Sequence, residues 1–77
     1  MTKAIEILKS CGFTNPEESL RLGTEVIEEN EMDAWLADWN EQTGDSITTD
    51  DIKEGKVTDM EYIRYTDNEY YYIVEAH

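Results

Sequence analysis

The sequence predicts an α+β fold, with two or three N-terminal α-helices packed on a C-terminal antiparallel β-hairpin that forms a small sheet. Two observations carry this reading. Apolar residues recur at helical spacing through about residue 44, and β-branched and aromatic residues crowd residues 57–76. Length is the third: 77 residues suffice for a single domain, spanning 1–77. A chain this short buries only about 60% of the surface it exposes when unfolded, so every element is expected to contribute to one small core.

Residues 2–11, TKAIEILKSC, place Ala4, Ile5, Leu8 and Cys11 on one helical stripe, with Ile7 beside it. Gly12 is the expected left-handed stop, with Phe13 folding back on the last turn. FTNPEESL then opens a second helix. Asn15 can cap it, Pro16 suits the first helical position, and Glu17 and Glu18 sit where the helix dipole favours negative charge. Glu18 is also placed to close a capping box. This helix is expected to run from Pro16 to about Glu29, weakened at Gly23 by about 1 kcal/mol relative to alanine. A break or kink is expected at Asn30. Beyond it Met32, Trp35, Leu36 and Trp39 fall at i, i+3, i+4 and i+7, an amphipathic helix that ends at Gly44.

Residues 45–56 read as a connection holding one helical turn begun by Thr49 or Asp50. VTDMEYIRY and EYYYIVEA then flank the polar stretch Thr66-Asp67-Asn68-Glu69, the pattern of a hairpin. A two-residue Asp67-Asn68 turn pairs Tyr65 with Tyr70, Ile63 with Tyr72 and Glu61 with Val74 on the face expected to meet the core. Arg64 with Tyr71, Tyr62 with Ile73 and Met60 with Glu75 then share the outer face. A slip of one residue would exchange the two faces of the strand.

Charge is the most unusual property. The net charge is −13, with 39% hydrophobic residues including two Trp and five Tyr, so the chain has the apolar content to fold despite strong self-repulsion. The charge is segregated: residues 10–52 hold twelve acids against Arg21 alone, whereas residues 1–9 are slightly basic. Carboxylates three and four apart on a helix have Cβ atoms about 5–6 Å apart, a spacing comparable to phosphates on a nucleic-acid strand. Glu25, Glu28 and Glu29, then Glu31, Asp33, Asp38, Glu41 and Asp45, are therefore the candidate partner-binding residues, as one or two rows of negative charge. Tyr62 and Tyr71, on the expected outer face of the hairpin, are candidate contact anchors, because tyrosine is enriched at binding hot spots.

The same composition argues against several other functions. The sole histidine, His77, ends the sequence, where chains fray, so neither Cys11 nor a serine has the usual general base. Paired carboxylates are plentiful, but so small a domain offers little pocket, and no catalytic residue and no enzyme activity are expected. TGDSITTDDIKE clusters oxygen ligands without the acidic spacing or glycine of an EF-hand loop, so no metal site and no cofactor are expected. One cysteine, no apolar run near 18 residues and no signal-like segment predict a soluble, cytoplasmic protein. An acidic surface repels nucleic acid and anionic lipid, which leaves a basic protein as the expected partner, met by a monomer or homodimer.

Gly44-Asp45-Ser46-Ile47 resembles the Gly-x-Asp-Ser-Leu signature of acyl carrier proteins, small acidic four-helix bundles whose serine carries a phosphopantetheine arm. The likeness covers four residues, lacks the spacer, and is followed by a hairpin where that family needs helices, so the Asp-Ser pair is read as loop chemistry. In size and charge the chain also resembles phage- and mobile-element-encoded anti-restriction and anti-CRISPR inhibitors. That likeness implies a non-enzymatic mimic of nucleic acid, acting in the host cytoplasm on the basic surface of a nucleic-acid-binding protein or nuclease complex. The alternative is an interaction module or antidote that occludes a basic partner without imitating nucleic acid.

Overall fold

The structure, a computed structural model, describes residues 2–76. Four helices and a three-stranded antiparallel sheet make the chain α+β. In order they are α1 (Thr2–Ser10), α2 (Pro16–Arg21), β1 (Glu25–Glu28), a 3-10 turn (Glu29–Glu31), α3 (Met32–Thr43), α4 (Thr49–Lys53), β2 (Met60–Thr66) and β3 (Glu69–Val74). The strands lie in the order β1-β3-β2, so the strand carrying the three tyrosines is central.

The second helix is much shorter than its pattern suggested, and the reason is Gly23. Asn15 caps α2 as expected, its Oδ1 accepting from the Glu18 N–H, and Pro16 occupies the first position. Glu18, however, turns its carboxylate to Arg21 instead of back to the cap. At the other end Gly23 adopts φ 112°. The Gly23 N–H reaches the Leu20 carbonyl and the Thr24 N–H reaches that of Ser19, the paired bonds of a Schellman stop. Gly12 ends α1 in the same way, with the Phe13 N–H on the Leu8 carbonyl. Gly23 is thus a terminator, not a weak interior residue. Released from the helix, the β-branched pair Val26-Ile27 becomes strand β1.

Residues 32–53 follow their sequence signals closely. α3 ends where Gly44 turns left-handed at φ 78°. The Asn40 side chain then ties the following loop to the helix, donating to the Ile47 carbonyl at 2.9 Å and accepting from its N–H at 3.1 Å. α4 begins at Thr49 as expected, with Thr48 as its cap in a capping box with Asp51. Asp45 and Ser46 lie in the loop between α3 and α4, ahead of that cap, and a sheet stands where a carrier protein's bundle would be.

The hairpin turn is the expected one, but its register is not. Thr66 faces Glu69 across Asp67-Asn68, after which Tyr65 is passed over and Arg64 pairs with Tyr70, Ile63 with Tyr71, Tyr62 with Tyr72 and Met60 with Val74. The extra residue at Tyr65 moves every later pair by one and exchanges the faces of β2 relative to β3. Tyr62, Tyr70 and Tyr72 consequently share one face, with Tyr62 stacked on Tyr70 at 5.5 Å and tilted against Tyr72 at 4.8 Å.

Both faces of the sheet are covered. On one, Ile27, Met60, Tyr72 and Val74 pack with Met32 and Leu36 of α3 and Ile52 of α4. On the other, Tyr71 and Ile73 pack with Ile7 and Leu8 of α1, and Leu20 of α2 joins them. Tyr71, expected on the outer face, is therefore a core residue with 7% of its surface exposed, its hydroxyl donating to Glu69 at 2.9 Å. Truncating a buried aromatic to alanine costs about 3–5 kcal/mol, so Tyr71→Ala should unfold much of the population in water. Tyr71→Phe, losing only the hydroxyl contact, should cost about 1 kcal/mol. Urea denaturation followed by circular dichroism measures both, and a Tyr71→Ala variant of undiminished stability would contradict this packing.

Candidate functional site

The eight candidate acids come from four consecutive pieces of chain. Glu25 and Glu28 bound β1, Glu29 and Glu31 belong to the 3-10 turn, Asp33, Asp38 and Glu41 ride on α3, and Asp45 follows its Gly44 stop. All eight are exposed. The row expected of Glu25, Glu28 and Glu29 does not form, because these residues are not helical. Three residues apart on a strand, Glu25 and Glu28 lie roughly 10 Å apart along the chain and project to opposite faces. On α3, helical spacing does hold, and Asp38 and Glu41 are neighbours on its surface.

None of the eight takes part in an ion pair among the described residues. The four salt bridges join Lys3 to Glu69, Arg21 to Glu18, Lys56 to Glu54 and Arg64 to Asp67, all outside this stretch. Lys53 lies 4.8 Å over the Tyr62 ring, which occupies a fifth of the six basic side chains. Three acids are held by neutral donors, Asp45 by the Thr43 hydroxyl at 3.2 Å and two others by aromatic side chains. The Trp35 indole N–H reaches Glu25 Oε1 at 3.4 Å, and the Tyr62 hydroxyl donates to Glu29 Oε2 at 2.5 Å, which holds the phenol well above its ordinary pKa. Tyr62 is half-buried between Tyr70, Tyr72 and Lys53, so it supports Glu29 more than it offers a free ring.

A groove of about 540 Å³ runs between the outer edge of β1 and α3. Ile27, Ala34 and Trp35 supply its apolar lining, Glu31 and Asp38 its charge, and Val26 and Glu28, which project to the other face of the sheet, border it at the strand edge. Sequence reasoning found these acids but not the apolar floor between them. The signal was present in Glu25-Val26-Ile27-Glu28, an apolar β-branched pair bracketed by acids and preceded by a glycine stop. A second groove, of about 620 Å³, lies at the opposite end of α3, where Trp39, Ile47 and Val57 meet Asp45, Asp51 and Lys56. The Trp39 indole N–H beside it is buried without a hydrogen-bond partner among the described residues.

Among the described residues, no three His, Cys, Asp or Glu side chains converge as metal ligands, so the acids form a spread surface. Cys11 is half-buried against the α1 core, and burial pushes its thiol up. His77 lies outside the described residues. No described helix is long and apolar enough to cross a membrane. No protein-family model, curated protein or solved structure matches the chain.

Unpaired carboxylates on one stretch repel one another, and salt relieves that repulsion as the Debye length falls from about 30 Å at 0.01 M to about 3 Å at 1 M. The melting temperature should therefore rise with added NaCl, by differential scanning fluorimetry, and a fall would mean that the few ion pairs dominate instead. At the hairpin turn, where the central strand begins, Glu69 is held below the usual carboxylate range, first by Lys3 at 2.9 Å and then by the Tyr71 hydroxyl. A carboxylate depressed on folding stabilises above its unfolded pKa and loses that contribution as pH falls through the folded value. By NMR titration, Glu69 should titrate below an ordinary glutamate, and Lys3→Ala should move it upward.

Proposed function

We propose that this chain is a non-enzymatic acidic inhibitor that occupies the basic nucleic-acid-binding surface of a target protein. The observation carrying the reading is the set of eight exposed carboxylates, continuous in sequence from Glu25 to Asp45, with no ion pair among the described residues. A surface left without cations in this way is compensated only by a few neutral donors, and its field attracts a basic partner at long range. Capture would be fast and salt-sensitive, with the α3 acids Asp33, Asp38 and Glu41 standing where phosphates stand in the natural ligand. The target would be a nucleic-acid-binding protein or nuclease complex in the cytoplasm, of the kind that anti-restriction and anti-CRISPR inhibitors block.

A second reading is favoured by the apolar floor beneath Glu31 and Asp38, a feature that nucleic acid does not present in its phosphate rows. On that reading the chain is an interaction module or antidote that binds a basic protein through both charge and apolar contact.

One experiment separates the two. Reversing Glu28, Glu31, Asp38 and Glu41 to lysine should weaken capture of a basic target by at least about tenfold, with circular dichroism unchanged. Adding duplex DNA or RNA to the captured complex should displace the target under mimicry and leave it bound under the second reading. Undiminished capture by the four-lysine variant would end both.

A further inference from the structure

β1 is an edge strand, and among the described residues its open side has no strand partner. It pairs only with β3, Glu25 opposite Val74 through Glu28 opposite Tyr71. No backbone hydrogen bond from residues 25–28 to any loop or turn is found among the described residues. In an antiparallel pair alternate residues turn their N–H and C=O groups away from the partner strand, so half of β1 offers its peptide groups outward. The other edge is less open to addition. β2 carries the extra residue at Tyr65 and the exposed Arg64 bound to Asp67, both devices that discourage pairing.

We propose that the β1 edge receives an extended basic segment of the partner protein as a fourth strand, with its side chains seated in the groove against α3. This rests on the proposed binding of a basic protein and specifies how part of that protein docks. The pattern of β1 defines the segment. Glu25 and Ile27 project to the α3 side of the sheet, whereas Val26 and Glu28 project to the α1 side. Residues opposite one another in neighbouring strands share a face. The complement of Glu25-Val26-Ile27-Glu28 is therefore basic-apolar-apolar-basic, one cation on each face, with an apolar side chain beside Ile27 directed at Ala34 and Trp35. Because the pattern is nearly symmetric, the segment can run in either direction.

The same charges exclude a second copy of this chain. Antiparallel pairing of β1 with itself would set Glu25 against Glu28 twice, between molecules that each carry a net charge of −13. Acidic flanks on a short edge thus reject self-association and select for a cationic strand.

The test is a 15N–1H NMR titration of the intact protein with the amidated peptide Thr-Lys-Val-Val-Lys-Thr. Two forms N-methylated on alternate amides, in opposite phase, serve as further probes. The parent peptide should shift the amides of residues 25–28 and the Trp35 indole. One methylated phase should bind at least about tenfold more weakly than the other, since only one edge of the added strand faces β1. Ala34→Trp, a substitution at an exposed position on α3, should fill the groove and remove binding with the fold retained. Equal affinities for the two methylated phases, or shifts confined to the Asp33 and Glu41 side of α3, would overturn edge docking. The outcome is separable from that of the charge reading. A peptide that seats on β1 while nucleic acid fails to displace a captured target removes mimicry alone. A captured target unaffected by Ala34→Trp removes the edge site alone.

Discussion

Everything in this fold depends on β3 being buried on both sides. Tyr71, Tyr72, Ile73 and Val74 are all buried, an unbroken apolar run in a strand that would alternate if one face met water. Tyr72 and Val74 hold α3 and α4, and Tyr71 and Ile73 hold α1 and α2. The two helical layers are joined chiefly through this strand. Consecutive residues therefore belong to different cores, and a disturbance at one is felt at the other through a shared backbone.

That arrangement also accounts for where the charge is placed. A three-stranded sheet sandwiched by helices leaves only its edges, its turns and the outer helix surfaces for polar groups. The acids accordingly appear at both ends of β1, in the 3-10 turn and on the outside of α3, while the basic side chains are spent on the hairpin turn, the Lys3–Glu69 contact and the ring of Tyr62. Strong repulsion concentrated on one stretch is a standing cost to a small chain. It is tolerated because the central strand supplies a core on each side.

Much of this is legible from the sequence, and each departure has its own physical reason. Stops and caps were readable where the residue type itself dictates the backbone: Gly12, Gly44, Asn15-Pro16 and the Asp67-Asn68 turn. Helix α3 was readable from its four apolar positions. Gly23 misled because a glycine within an apolar-periodic stretch reads equally as a weak interior residue or as a terminator, and only the bonds of Gly23 and Thr24 to Leu20 and Ser19 distinguish them. The strand pairing misled because the passed-over residue at Tyr65 leaves no composition signal, yet one inserted residue exchanges faces along the whole of β2. Strict alternation with one solvent-facing side puts Tyr71 outside, and β3 has no such side. The acids of the candidate site were visible by type. Their arrangement was not, since Glu25 and Glu28 were set in a helix that ends at Arg21.

Trp35 and Trp39 stack on α3 with ring centroids 5.2 Å apart and planes 15° from parallel. One indole lines the groove at β1 and the other lines the larger groove at the far end of the helix. Two near-parallel chromophores this close share their excitation, so the pair forms a single optical unit reaching into both grooves. A molecule entering either one would therefore touch a ring that is stacked on the lining of the other.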